Sequence, residues 1–255
     1  MTDAPVTPLV TRSHERGITT LTLDSPHNRN ALSARLVAAL HQALADAAAD
    51  DGTRAVVLTH TGTTFCAGAD LSEATTGAAK DGPLELARLL RAIVALPRPV
   101  VARVTGHVRA GGLGLLGACD IAVAGPAATF AFTEARLGLA PAVISLPLLP
   151  RIDARAAGRY YLTGEKFGPA EAARIGLVTL AADDVDAGLA PVLDGCARAP
   201  PRGSRPRRGW SPRRCWPPST ATRTRWRRSP RGSSAPPRPA GMTAFLERRA
   251  PVWAR

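Results

Sequence analysis

The stretch Gly106-His-Val-Arg-Ala-Gly-Gly-Leu-Gly-Leu-Leu-Gly-Ala-Cys-Asp120 decides the fold. An apolar run of strand type, residues 100–105, leads into it, and a helix opens near Gly111. A strand that hands over to a helix through a glycine-rich turn is the repeating step of an α/β protein. Glycine also permits backbone angles and close approaches that other residues resist, so N–H groups in such a turn can face an incoming oxygen. A second turn of this kind, Thr64-Phe-Cys-Ala-Gly-Ala-Asp-Leu71, follows the buried-strand pattern of residues 55–59. Two such amides converging on one carbonyl oxygen make an oxyanion hole.

Outward from these turns the pattern stays α/β. Residues 9–14 and 17–24 alternate β-formers and predict a hairpin around Glu15-Arg16-Gly17. Ser33 predicts the N-cap of an amphipathic helix running to about Ala49. The segment 62–70 reads as a loop. Residues 84–96 read as a helix stopped by Pro97 and Pro99. A third buried strand, 121–124, ends at Gly125-Pro126, and helices are expected over 153–162 and 169–175, with a short strand at 177–181.

The 255 residues suffice for one large α/β domain or two small ones, and a 45% apolar content with few aromatics implies a core of Ala, Val, Leu and Ile. No apolar run approaches the ~20 residues that span a bilayer. Met1-Thr-Asp-Ala-Pro5 lacks the features of a signal peptide. The four Cys (66, 119, 196 and 215) have no metal-ligand spacing. Together these features predict a cytoplasmic protein. Cys66 and Cys119 read as packing residues. The five His (14, 27, 41, 60 and 107) have no partners at triad-like or metal-like spacing, and no Walker loop or dinucleotide fingerprint occurs.

The net charge of +13 would suit a polyanionic partner, but residues 196–240 hold 13 Arg and no Lys or acid, so the rest balances 33 − 13 = 20 basic against 20 acidic residues. That segment also carries 10 Pro and three of the four Trp. One reading is a basic nucleic-acid-binding tail. The neutrality of the remainder weighs against it. The preferred reading is out-of-frame translation. Cys215-Trp216-Pro217 must be encoded TGY TGG CCN, and one base earlier this gives Leu-Ala, within a helix-forming sequence. Sensible sequence returns at Gly241-Met-Thr-Ala-Phe-Leu-Glu-Arg-Arg-Ala-Pro251.

The paired motifs at 64–71 and 106–120 resemble the signature of the enoyl-CoA hydratase/isomerase (crotonase) family. The resemblance implies an α/β fold in which ββα units wind into a spiral, with a C-terminal helical region that helps to build trimers. It implies a core domain over 1–190 and a C-terminal region over 191–255, anomalous at 196–240 and family-like at 241–254. It implies an acyl-CoA thioester substrate and no further cofactor, coenzyme A being part of the substrate. A homotrimer or hexamer is expected if the C-terminal helices are intact, with no membrane association.

By the same resemblance, the oxyanion donors are the N–H groups of Ala67 and Gly111. The segment Ala128-Thr-Phe-Ala-Phe-Thr-Glu-Ala-Arg-Leu-Gly138 supplies one catalytic glutamate, Glu134. The bland alternative for Glu134 is an ion pair with Arg136 or a helix cap at Thr133. The family's other glutamate falls at Gly114, which removes it. Hydration by Glu134 alone, proton shuttling by an isomerase, and acyl-CoA binding with little turnover all stay open. Hydration of an enoyl-CoA 2,3-double bond is the reading chosen. The run Glu134–Ser145 looks like the bacterial branch containing methylglutaconyl-CoA hydratases of leucine breakdown, with Pro141 and Ser145 at the acyl end. Pro26-His-Asn-Arg-Asn-Ala-Leu32 resembles a CoA-binding turn, with Arg29 on a phosphate and the Ala31 backbone on adenine or pantetheine. The main chain of Ala67, Gly68, Ala69, Asp70 and Leu71 would hold the pantetheine, and Asp70 would fix the loop. Arg109 is expected to be solvated.

Overall fold

The computed structural model describes residues 8–75 and 81–198. Strands β1 (Val10–Glu15) and β2 (Ile18–Leu23) form an antiparallel hairpin. Its two-residue turn holds Arg16 and Gly17 at φ 49° and 80°, the left-handed pair that matches strand twist. Helix α1 (Ala34–Ala49) starts where Ser33 accepts a hydrogen bond from the Leu36 N–H at 3.2 Å. Its apolar stripe, Leu36, Val37, Leu40, Leu44 and Ala47, is buried.

Three strand pairs follow: β3 (Ala55–His60) with β4 (Thr64–Cys66), β5 (Val100–Val104) with β6 (His107–Arg109), and β7 (Ile121–Ala124) with β8 (Phe130–Ala131). In each pair the first strand joins a large sheet and the second a small one. The large sheet has the order β1-β2-β3-β5-β7-β9, where β9 is Leu180–Ala181, and the small one β4-β6-β8. All pairings beyond the first hairpin are parallel. Each pair is followed by helical chain: α2 (Leu71–Thr75) and α3 (Gly82–Ala95), then α4 (Gly111–Ala118), then a 3₁₀ turn (Thr133–Leu137) and α5 (Ala142–Leu148). This is the α/β crotonase fold, ββα units wound between two sheets. Helices α6 (Ala154–Thr163), α7 (Pro169–Arg174) and α8 (Val185–Arg198) complete the order. Helix α8 runs unbroken through residue 190.

Helix α4 is buried along its whole length, as expected of a helix apolar on every side. It enters the core N-terminus first, directly from β6. The short strands β4 and β6 lie within segments that read as loop or turn from sequence, and β8 lies in a segment for which the sequence predicts no element. Their outer sides are not solvent throughout. Arg109 is half-buried and donates to Val108 O at 2.9 Å, Thr129 O at 2.6 Å and Thr129 Oγ1 at 2.7 Å, so the expectation of a solvated side chain fails. Burial, with Arg136 nearby, holds its guanidinium below the ordinary range. No helix among the described residues is long and apolar enough to cross a membrane. Residues 199–255, with most of the arginine-rich segment and the 241–254 stretch, lie outside the described residues.

Candidate active site

In open parallel sheets, ligands collect beyond the carboxyl ends of the strands. The small sheet is parallel, so the chain leaves β4, β6 and β8 at one edge. Cys66 is paired with Val108, and Arg109 with Ala131. The next residues are therefore Ala67-Gly68-Ala69, Ala110-Gly111 and Phe132-Thr133-Glu134. One short sheet brings all three sequence motifs to a common mouth.

The two amides at that mouth are not the expected pair. The Ala67 N–H donates to Arg29 O at 3.0 Å and is spent in holding the loop. Two residues on, Leu32 N–H donates to Gly68 O at 2.7 Å, and Asp70 N–H donates to Leu32 O at 3.4 Å. These bonds make Leu32 and Ala69 a parallel bridge. Peptide groups alternate in direction along extended chain, so the Ala69 N–H faces away from Leu32. Gly111 lies close by: a β-carbon there would stand 3.6 Å from the Ala69 nitrogen. A β-carbon on Gly68 would likewise stand 3.3 Å from the Gly111 nitrogen. Neither the Ala69 nor the Gly111 N–H has a hydrogen-bond partner among the described residues. Gly111 also opens α4, whose N-terminal amides carry partial positive charge. Ala110, just before it, sits at φ 45°, a strained angle for a residue with a side chain.

Glu134 lies in the 3₁₀ turn after β8 and is 8% exposed. Its Oε2 is buried with no hydrogen-bond partner, and the ion pair with Arg136 is not formed among the described residues. Burial raises its carboxyl to about 7, slightly offset by its own backbone N–H. A carboxyl at that value can both take and give a proton near neutrality. Gly114 lies one helical turn into α4. A β-carbon there would meet Ile144 Cγ2 at 2.8 Å and Leu90 Cδ1 at 3.1 Å. The place of the family's other glutamate is thus closed by aliphatic packing. Pro141 caps α5, the helix that carries Ile144.

The Pro26–Leu32 loop holds its shape through a residue that sequence reading passed over. Asn30 is fully buried at φ 53°. Its Oδ1 accepts from Ser25 N–H at 2.7 Å, and its Nδ2 donates to Thr61 O at 3.1 Å and Thr64 O at 2.7 Å. Replacing Asn30 with Ala takes its amide from two buried backbone groups, Ser25 N–H and Thr64 O, and from the half-buried Thr61 O. The expected loss is about 3–5 kcal/mol in urea melts. The Arg29 side chain is exposed. The Ala31 N–H already donates to Asn28 O at 3.3 Å, whereas its carbonyl accepts from Ser33 N–H at 2.8 Å and keeps a second lone pair, through which the expected contact with adenine or pantetheine would be made. Asp70 accepts from Ser72 N–H and Oγ at 3.0 and 2.6 Å, opening α2 beside Leu71.

Cys66 is fully buried and its thiol is pushed up to about 12 by desolvation, which rules it out as a nucleophile near neutrality. Surface grooves beside Arg103 and Asp186, and between Leu116 and Thr179, contain none of these residues.

A spiral of ββα units with paired glycine turns and one buried carboxyl at the small sheet's edge defines the crotonase class of protein. The family model for enoyl-CoA hydratase/isomerase matches residues 13–192, and the chain belongs to that family. A solved enoyl-CoA hydratase from Mycobacterium avium is 47% identical, with a TM-score of 0.83, covering 97% of this chain and 100% of that one. An enoyl-CoA hydratase structure from Mycobacterium smegmatis is 30% identical with a TM-score of 0.78, covering 98% and 100%. A Thermus thermophilus relative is 40% identical over 162 residues, 61% of this chain, and the match spans only 64% of that relative's length. These relatives fix the family; the finer likeness to methylglutaconyl-CoA hydratases is not carried by their names.

Proposed function

We propose that this chain is an enoyl-CoA hydratase. The observation that carries the reading is the convergence, at one edge of the small sheet, of two unspent amides and one unpaired buried carboxyl. The Ala69 and Gly111 N–H groups would hold the thioester oxygen, where negative charge develops as the enolate forms. Gly68 would keep those amides close. Glu134 would take a proton from water as its oxygen bonds to C3, and return it to C2. Arg29 would meet a phosphate of coenzyme A from the exposed loop, with Leu71 and Pro141 flanking the thioester. Branched acyl groups of the methylglutaconyl type belong to this proposal as one substrate class. Assembly as a homotrimer or hexamer belongs to it as well.

One observation favours a second reading. Aliphatic packing at Gly114 leaves a single carboxyl, which is all that moving a double bond between C3 and C2 requires. Absorbance at the conjugated thioester band separates the two. Hydration of a 2-enoyl-CoA bleaches the band, whereas isomerisation of a 3-enoyl-CoA creates it. A panel of straight and branched enoyl-CoA substrates, with no bleaching for any of them, would remove the hydratase reading.

A further inference from the structure

The wall that closes Gly114 also brings a second polar group towards Glu134. Ile144 fills the space over Gly114, and Ser145 is the next residue of α5. Ser145 Oγ lies 2.5 Å from Pro141 O and 3.3 Å from the Tyr161 hydroxyl. A serine has one proton to give. That proton is shared between Pro141 O and the phenol oxygen, which accepts it on one lone pair. The phenol oxygen keeps its second lone pair for another donor.

Tyr161 reaches this position from α6, which packs on the 3₁₀ turn that carries Glu134. Its ring lies against Phe132, two residues before Glu134, with centroids 4.5 Å apart. The phenol is pushed up to about 12, by burial first and by the Glu134 charge in addition. It stays protonated through the working range. On the turn that α6 packs against, Glu134 Oε2 is a buried acceptor without a partner. The site therefore presents a carboxylate that can take a proton from a water and a phenol oxygen that can accept its other hydrogen.

We propose that Tyr161, anchored by Ser145, holds the attacking water for Glu134, the task that a carboxylate at position 114 would otherwise perform. The inference rests on the hydratase reading. In the step, the water oxygen bonds to C3 while one water proton passes to Glu134. The π pair moves to C2 and onto the thioester oxygen. Glu134 then returns that proton to C2 and is again a carboxylate. Tyr161 accepts a hydrogen bond from the remaining O–H and keeps its own proton throughout.

The test compares two reactions of the full chain. Hydration of a 2-enoyl-CoA needs the held water. Exchange of the C2 hydrogens of a saturated acyl-CoA with D2O, followed by NMR, needs Glu134 and the oxyanion amides only. Tyr161→Phe keeps the ring against Phe132, so the fold is expected to survive. Its hydration kcat should fall by about 10²-fold with KM little changed, while exchange stays within about twofold. Ser145→Ala keeps the phenol but removes its anchor, and should show the same split with a smaller amplitude. Tyr161→Phe hydrating at the unmodified rate, or losing hydration and exchange in equal measure, overturns the inference. If the unmodified protein performs exchange but hydrates no enoyl-CoA, the hydratase reading itself fails and takes this inference with it.

Discussion

Replacing Glu134 with Gln is expected to stop turnover and, above neutral pH, to make the folded chain more stable. Burial holds this carboxyl at about 7 against an ordinary 4.5. Between those values the native chain binds a proton that the unfolded chain has released. The contribution of Glu134 to stability therefore falls as pH rises through that window. Above it the whole cost is present, on the order of 3 kcal/mol for the full shift. Glutamine fills the same volume without charge. The variant should gain up to about that much in urea melts at pH 8 and nothing below the ordinary carboxyl range. Its turnover should fall by about 10²–10⁴-fold. In the proposed mechanism hydration begins with the carboxylate as base, so the rate of the unmodified chain should climb with pH through about 7. A Gln variant with unchanged turnover would remove Glu134 from the chemistry.

Gly68→Ala is expected to damage the other half of the site. Gly68 sits at φ 94°, an angle that side-chain-bearing residues rarely adopt. Its new β-carbon would also stand 2.8 Å from Ala110 Cβ, 3.2 Å from Arg109 O and 3.3 Å from the Gly111 nitrogen. Relief requires the two glycine turns to part, which moves the Gly111 amide away from the Ala69 amide. Loss of one donor of this kind costs about 2.7–4 kcal/mol in the transition state, or roughly 10²–10³-fold in kcat. The pairing Gly68→Ala with Ala110→Gly removes the nearest contact and should recover part of the rate. Steady-state kinetics of the single and double variants, checked against circular dichroism, decides the point. A single variant with normal kcat would mean that these amides do not hold the thioester oxygen.

The large sheet, α1 and α3 were legible because their signals are local, whereas α8, which packs on that sheet, was not read. Ser33 caps, the α1 stripe repeats, and Val100 to Val104 is apolar almost throughout. The small sheet was not legible, since strands of two or three residues are too short to show a period. That gap explains the misplaced amide. Whether Ala67 or Ala69 keeps its N–H depends on the Arg29 carbonyl, a partner distant in sequence. Arg109 was misread for the same reason, because Thr129 reaches it only through the pairing of β6 with β8. Glu134 was found through its surrounding motif, and its burial follows from the 3₁₀ turn. Asn30 left no clear local mark beyond a tolerance of left-handed backbone. Tyr161 and Ser145 meet only through the packing of α6 near α5, which no spacing encodes.

In the proposed site the substrate carbonyl would be gripped by main chain, whereas the proton would be moved by a side chain. No exchange except to proline deletes a main-chain N–H. A saturation screen for lost activity should therefore fall silent at the residues whose nitrogens do the gripping when they tolerate bulk, as exposed Ala69 does. It should respond sharply at their cramped neighbours. The fold keeps its handhold through drift in sequence and leaves the reaction itself open to revision at a few exchangeable side chains.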